Sequence, residues 1–581
     1  MSASKMPPLQ PETIKDSSTG TAGIVACEVA AESDGLISQS ALKSHNYGSN
    51  SASNDAEDDE DDKAVLPKAQ LRLLVASLFM AAFLAALDTT VVTTLLTVIA
   101  SDLKSVERIS WIATSYLLSC SAFQPLFGKL LDIFGRKLLL VICCALFAVG
   151  CCICVTNLLP WLVFGRFVTG CGGSGLTTLG TITLSDLIPL RQRGLYQGMA
   201  NIFFGLGAAS GGIVGGVVSD LLGWKYVFAL QVPLAVLVGL AIHMYLVLPE
   251  GSPGLGAAGT EFSEKLKRVD FMGAFSLVSA LMLLLAATSM GGKEFAYSLK
   301  TFIGMLLLSL ALIVTFIYVE TYVADEPIIP MAVMAERTVL SASLANWFYT
   351  MGVFTNLFYV PVFFQTVIGL SATQSGERII PNFFALSLGS LLTGLYMLKT
   401  GRYYTLCVVI GLISTLGMLR LFYLDENATL WQQYTILVPQ GLGYSSALTI
   451  TLLALIASVP QKYQACTTSI QYTFRATGST IGVSLASAIF EKVLREKLRG
   501  LIHEAIPDFE KAEKIIRKAL ETTTYVKHAP EIVQHAIKNS YNQACIAAFV
   551  FGAISLTLGF VSSLFMREHV LHKSIERDET E

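Results

Sequence analysis

Asp88 stands in the run Leu87-Asp88-Thr89-Thr90-Val91-Val92, deep within apolar sequence and with no cation close by in the chain. A carboxylate held in hydrocarbon is costly, so it must turn toward the interior of a helix bundle. Desolvation and a neighbouring guanidinium pull its proton affinity in opposite directions, which is the balance a proton carrier needs. Arg166, in another apolar run, is the partner available. Such a pair either loads and releases protons or serves as a static buried contact that specifies packing. Arg475, within Phe474-Arg475-Ala476-Thr477-Gly478, is a further charge in apolar sequence. It requires a carboxylate, a carbonyl or water, and gating or repulsion of a solute are the roles open to it. Gln124, Asn201, Asn346, Asn356 and Gln440 are polar groups in similar runs, placed either to line a cavity or to bond between helices.

A second cluster lies at a boundary. The segment Gly128-Lys129-Leu130-Leu131-Asp132-Ile133-Phe134-Gly135-Arg136-Lys137 brings one carboxylate and three cations into a tight turn between two apolar stretches. Glycine permits the turn and the charges stay at the interface with water. Asp132 can pair with Arg136 or with a neighbouring helix end, and contacts made in one bundle arrangement only would favour that arrangement.

These residues need a membrane around them. Of 581 residues, 53% are hydrophobic and 14% charged, and the mean hydropathy is +0.60, too apolar for a soluble chain of this size. A net charge of −3 offers no basic excess for nucleic acid, so a nucleic-acid partner is not expected. Most of the eleven cysteines, such as Cys143, Cys144, Cys151, Cys152 and Cys154, fall inside apolar runs rather than at disulfide or zinc spacings. No zinc site, nucleophile-base arrangement or glycine-rich phosphate loop is present, so neither an enzyme, a metal site nor a cofactor is expected.

Apolar stretches of roughly 20 residues, each long enough to cross about 30 Å of hydrocarbon as a helix, recur from Leu71 onward. Six lie between Leu71 and Leu248 and eight between Phe271 and Phe565, the last two at Thr467–Phe490 and Gln543–Phe565. The fold class read from this is an all-α polytopic membrane protein of about fourteen spans. Residues 1–70 form an acidic tail without the apolar content to bury a core, and no cleaved signal peptide precedes the first span. With the N-terminus in the cytosol, the inside loops hold Lys129, Arg136, Lys137, Arg191, Arg193, Lys265, Lys267, Arg268, Lys399 and Arg402, as the positive-inside rule requires. The sequon at Asn427 then faces away from the cytosol, within reach of glycosylation. Residues 491–541 are the long outside loop, with Leu494, Leu498, Leu501 and Ile502 at helical spacing. One or two amphipathic helices lying on the membrane are expected there. Its His503, His528 and His535 could sense an acidic compartment.

An internal repeat is visible. Gly128 and Gly135-Arg136 have the same spacing as Gly394 and Gly401-Arg402, although Leu398 stands where the first copy has Asp132. The first copy follows the second span and the second copy the tenth, which gives two six-helix bundles with two inserted helices. The expected division is a tail at 1–70, a first bundle at 71–249, a central loop and two helices at 250–335, a second bundle at 336–566, and a tail at 567–581.

The Gly128–Lys137 segment resembles the signature loop of the major facilitator superfamily, which implies the major facilitator fold and alternating access. Gly207, Gly211, Gly212, Gly215 and Gly216 leave one helix face without bulk. They resemble the motif shared by proton-driven antiporters of that superfamily, except that Gly212 stands where proline is usual. Asp88 and Arg166 match positions that the fourteen-span antiporter branch implicates in proton coupling. Ser110-Trp111-Ile112-Ala113-Thr114-Ser115-Tyr116, Ala122-Phe123-Gln124-Pro125-Leu126-Phe127-Gly128-Lys129, Arg193-Gly194-Leu195-Tyr196-Gln197-Gly198 and Gln231-Val232-Pro233 resemble fungal vacuolar basic amino acid transporters. The resemblance implies proton-coupled import of Lys, Arg or His into the vacuole by a monomer, with protons and a small solute as partners besides the bilayer. A cationic solute would call for an anionic cavity group, for which Asp88 is the main candidate. Glu32, Leu36 and Ile37 form an acidic-dileucine pattern of the kind sorting adaptors read. The rival readings are a plasma-membrane drug/proton antiporter, a siderophore carrier and, from a different class, a non-transporting nutrient sensor. A sensor would carry a larger signalling tail than Arg567–Glu581.

Overall fold

In lipid every backbone N–H and C=O must be satisfied within its own segment, and helices are how apolar runs of this length do so. The structure, a computed structural model, describes residues 68–103, 110–247, 253–257, 259–290, 300–506, 509–521, 531–569 and 571. The acidic-dileucine residues Glu32, Leu36 and Ile37, as well as His528, lie outside them. The long helices are α1 (Lys68–Asp102), α2 (Ser110–Phe134), α3 (Arg136–Cys154), α4 (Leu159–Leu187), α5 (Leu190–Leu222), α6 (Trp224–Tyr245) and α7 (Phe271–Met290). They continue as α8 (Lys300–Tyr322), α9 (Arg337–Phe363), α10 (Ile380–Thr400), α11 (Tyr404–Met418), α12 (Val438–Ala457), α13 (Gln461–Ala505) and α14 (Glu531–Ser563).

Twelve helices among the described residues are long and apolar enough to cross a membrane, against the fourteen spans expected. The remaining two are α4 and α13. Both are long, but Gly, Ser, Thr and Arg166 dilute the apolar content of α4, and polar residues together with the charges near its end dilute that of α13. They are packed among the others, α4 against α2 and α3, and α13 against α2, α9 and α14. Elsewhere apolar faces are left bare, as at Phe275 on α7 and Leu307, Leu310 and Val314 on α8, the exposure expected where lipid is the solvent.

The helix pairings repeat. In the first half α1 packs on α5 and α6, α2 on α4, and α3 on α4 and α6. In the second half α9 packs on α13 and α14, α10 on α12, and α11 on α12 and α14. The glycine that joins the second helix of each half to the third has positive φ in both copies, 86° at Gly135 and 70° at Gly401, a conformation that costs glycine little. The Gly128–Lys137 segment is less of a turn than its composition implied. Lys129 to Phe134 complete the last turns of α2, and Gly135 alone separates α2 from α3.

The two halves meet along α2·α13 and α5·α10. Gly128 is therefore a contact residue: a Cβ there would stand 2.7 Å from Ser469 Oγ and 2.8 Å from the Ala465 carbonyl oxygen. At Gly394 a Cβ would collide with the Gly194 carbonyl oxygen. Among the described residues, the hydrogen bonds across this seam lie at the basic-loop end and midway. Arg191 donates to the carbonyls of Leu398 and Lys399 (2.6 and 2.7 Å), Arg193 to Gln464 Oε1 (3.1 Å), and Asn201 to Ser390 Oγ (2.8 Å). Thr181 Oγ1 and Tyr472 OH are 2.7 Å apart. Farther along α5, a Cβ at Gly216 would meet nothing.

At the opposite end α13 continues to Ala505 instead of stopping near Phe490. Its 45 residues make a rod of about 68 Å, twice the hydrocarbon thickness. The apolar positions expected to lie on the membrane face one another instead. Leu494, Leu498 and Ile502 of α13, Ala512, Ile516 and Ala519 of the short helix Phe509–Glu521, and Val533 and Ile537 of α14 are buried in one cluster that runs on into the second bundle. Tyr541 OH fixes the short helix by donating to the Ala519 carbonyl at 2.7 Å. The periodicity was right for amphipathic helices, but their apolar stripe is covered by protein.

Gly394→Ala forces a methyl into backbone, an overpacking of about 1–3 kcal/mol, and shifts the bundle equilibrium away from the closed seam by roughly 5- to 150-fold. Thiol labelling of the native Cys466, buried at the seam beside Gly128, should rise accordingly when read by peptide mass spectrometry. Unchanged labelling would mean that this contact does not hold the seam.

Candidate functional site

α1 and α4 are joined by a charge pair. Arg166 Nη1 lies 2.8 Å from Asp88 Oδ1 and 2.7 Å from Oδ2, with Asp88 0% and Arg166 1% exposed. The guanidinium carbon also sits 4.3 Å above the Tyr116 ring from α2 and 5.8 Å from the Phe228 ring of α6, placements that suit a desolvated cation. Arg166 Nε is left without a hydrogen-bond partner among the described residues. The glycine face of α5 packs on α1. A Cβ at Gly207 would meet the Phe83 carbonyl oxygen, and one at Gly211 the side chain of Thr90, so α5 lies directly on α1 at the level of Asp88. Gly215 is buried too, Gly212 is half-buried, and Gly216 meets nothing.

A separate small cavity lies in the seam. It is lined by Gln197 and Asn201 of α5, Leu448 and Leu452 of α12, and Gln471, Tyr472 and Arg475 of α13. Of the sequence candidates it unites Asn201 and Arg475. Gln197 donates to Asn201 Oδ1 at 3.2 Å, and Gln471 Nε2 donates to the Leu448 carbonyl and Thr451 Oγ1 at 3.2 and 3.1 Å. Gln197, Gln471 and Tyr472 were not singled out from sequence, since polar residues on a helix do not reveal which of them turn toward a seam. Asp88 and Arg166 do not line this cavity, which removes Asp88 as its anionic group in this arrangement.

Other candidates bond between helices. Asn356 Nδ2 donates to Gln440 Oε1 at 2.7 Å, joining α9 to α12, and Gln440 Nε2 donates to the Val353 carbonyl at 3.2 Å. Asn346 Nδ2 donates to the Gln471 carbonyl at 3.1 Å. Gln124 is buried in α2 with Oε1 unpaired among the described residues. Asn427 is exposed between α11 and α12, while Thr429 of its sequon caps the short helix Leu430–Thr435. His503 lies 3.9 Å from Glu513 and His535 is exposed.

Residues 78–483 match the family model of the Major Facilitator Superfamily. The chain belongs to that superfamily. It is 34% identical over 477 residues to the vacuolar membrane amino acid uptake transporter fnx2 of Schizosaccharomyces pombe, which covers 81% of this chain and 80% of the relative. The multidrug resistance protein fnx1 of the same yeast is 34% identical over 484 residues, 83% of this chain and 89% of the relative. Vacuolar basic amino acid transporter 2 of Saccharomyces cerevisiae is 29% identical over 464 residues, 78% of this chain and 96% of the relative. The solved proton:xylose symporter XylE shares the fold alone, with a TM-score of 0.55 at 15% identity over 87% of this chain and 98% of that one. The protein is thus a membrane transporter and not an enzyme. The cap formed by residues 491–541 lies beyond the matched residues.

The superfamily's signature loop is wired at the basic-loop end, opposite the cap. Arg136 donates through Nε to Asp186 Oδ2 at 2.8 Å and through Nη1 to Asp132 Oδ1 at 3.3 Å, joining the start of α3 to the ends of α2 and α4. Lys137 makes no ion pair among the described residues. Lys129 reaches Glu326 at 2.8 Å, and Glu326 also accepts from Arg268 at 2.7 Å. Cys466 Sγ lies 3.2 Å from the Ile328 carbonyl. The segment after α8 thereby touches both α2 and α13. Asp186 and Glu326 were missed from sequence because a charge at a helix end is ordinary there. Hydrogen bonding from Arg268, and secondarily from Lys129, holds the Glu326 carboxyl below the usual carboxylate range, and the contact with Glu326 raises Arg268.

Two outcomes follow from these contacts. Asp88→Asn leaves Arg166 buried without a counter-charge, a loss of about 3–5 kcal/mol, whereas Asp88→Asn/Arg166→Gln should regain part of it. Thermal unfolding in detergent measures both, and a double variant as unstable as the sum of the singles would rule out the coupling. Glu326, with its depressed pKa, contributes stability above the ordinary carboxylate value near 4.3 and loses it only as pH falls through its own lower value. Between pH 5 and 7.5 Glu326 therefore stays charged, and Glu326→Gln should leave the shape of the pH profile of transport unaltered in that window.

Proposed function

We propose that this transporter is a proton-coupled antiporter that moves basic amino acids, Lys, Arg and His, into the vacuole. The observation that carries the reading is the 34% identity, over four-fifths of both chains, to a vacuolar membrane amino acid uptake transporter. A relative named for basic amino acids matches along 96% of its own length. The buried Asp88–Arg166 pair supports the proton coupling. A proton on Asp88 cancels the negative half of the pair, so Arg166 must find another acceptor, and α1 and α4 repack around it. In this reading α4 and α13 also cross the membrane, both termini lie in the cytosol, Asn427 and the cap face the lumen, and the protein acts as a monomer. Glu32, Leu36 and Ile37 then lie on the side where a sorting adaptor reads them.

A second reading has its own support, since a multidrug resistance protein is equally identical. Drug/proton antiport at the plasma membrane keeps the same fold and the same buried pair with a different solute. Uptake of labelled Lys, Arg and His into acidified vesicles containing the protein, with and without a protonophore, separates the two. Uptake that collapses with the gradient is the expected result. Absent uptake of all three, with an acid-driven flux of a cationic dye, would transfer the assignment to drug transport.

A further inference from the structure

The charges inside the second half do not balance. Between Arg337 and Phe490 the acidic residues are Glu377, Asp425 and Glu426, and all three lie in the segments that join α9 to α10 and α11 to α12. Arg475 nevertheless stands on the seam cavity, well inside α13. No carboxylate and no carbonyl pairs with its guanidinium among the described residues. The contact it does make is with the Phe204 ring of α5, 5.7 Å from the guanidinium carbon. Asp88 of the first half supplies no counter-charge either, because it is fully buried and already held by Arg166. A cation in such a place is kept only where a partner reaches it, and the one route left open is the cavity itself.

We infer that Arg475 is the clamp for the carboxylate of the transported solute, resting on the reading that the solute is an amino acid. A planar guanidinium matches a carboxylate in a two-pronged hydrogen bond. The neighbours complete the site for a zwitterion. Gln471 has committed its amide N–H to Leu448 and Thr451, which leaves its oxygen to accept from an ammonium group, and the Tyr472 hydroxyl and Gln197 lie beside it. The cavity has only about 10 Å³ of free space, room for one water at most, so the solute enters as the seam opens. The clamp also defines what is refused: amines that lack a carboxylate, such as polyamines and cationic drugs, meet an unpaired arginine and no acid.

The test uses the full chain in proteoliposomes with an acidic interior, following labelled lysine. Cadaverine, agmatine and lysine amide carry the same cationic ends without the carboxylate and should fail to compete in hundredfold excess, whereas Nε-acetyl-lysine, which keeps it, should compete. Arg475→Gln should raise the apparent KM for lysine about 10- to 100-fold, the range for a charge-assisted hydrogen bond, and Arg475→Lys should recover part of the loss. Competition by cadaverine as strong as that by lysine overturns the clamp while leaving amino acid transport standing. Absence of any lysine uptake by the unaltered protein overturns the amino acid reading and the clamp with it. The competition series needs no variant, so a misfolded Arg475→Gln protein would not obscure the outcome.

Discussion

The pair between Asp88 and Arg166 is the constraint around which the first half is arranged. A desolvated carboxylate and guanidinium hold α1 to α4, and an aromatic ring from each of α2 and α6 is drawn over the cation. The glycines of α5 let that helix lie directly against α1. In the second half, α9 and α12 stand where α1 and α4 stand in the repeat, and there the link is between two amides, Asn356 and Gln440. An amide pair carries less desolvation cost than an ion pair and cannot change its charge. The two halves share one scaffold but differ in what they can exchange: the first holds a group that can be protonated, and the second presents to the seam a cation that pairs with no carboxylate among the described residues.

Alternating access depends on a seam that can part. Interdigitated side chains would resist separation, whereas backbone against backbone at Gly194 and Gly394, with a few hydrogen bonds at one end and midway, gives a contact that is close yet shallow. Arg191 donates to carbonyls at the end of α10, the groups a helix terminus leaves unsatisfied, so its bonds can be exchanged for water when the seam opens. The inserted helices contribute through Glu326 and Ile328, which tie the end of α2 and the start of α13 to one short segment. Their two extra spans are thus attached at the point where the halves must separate.

Much of this was legible because hydrocarbon penalises error so heavily. A charge in an apolar run has few solutions, which is why Arg166 could be named as the partner of Asp88. Gly135 was equally legible, since a positive φ between two helices calls for glycine. Gly128 was misread for an instructive reason: sequence shows that a residue lacks a side chain, but not whether the space serves a turn or another helix. The cap was misread in the same way, because helical periodicity gives an apolar stripe without saying whether lipid or protein covers it. The seam cavity was the least legible, since Gln197 and Tyr472 become neighbours only when two helices far apart in the chain cross.

The separation of Asp88 from the seam cavity bears on how proton and solute are coupled. If both occupied one carboxylate, exchange would follow from direct competition. Here the carboxylate is enclosed and Arg475 faces the cavity from another helix, so in the proposed antiport neither ligand displaces the other. Coupling must then run through the bundle arrangement. In that proposal protonation of Asp88 would free Arg166 and loosen α1 against α4, while a carboxylate at Arg475 would draw α13 toward α5. Each ligand would then bias the same two-state seam by the difference in its affinity for the open and closed forms. An exchange built in this way tolerates a change of solute without loss of the proton site, and it explains in physical terms how relatives named for amino acids and for multidrug resistance can resemble this chain to the same degree.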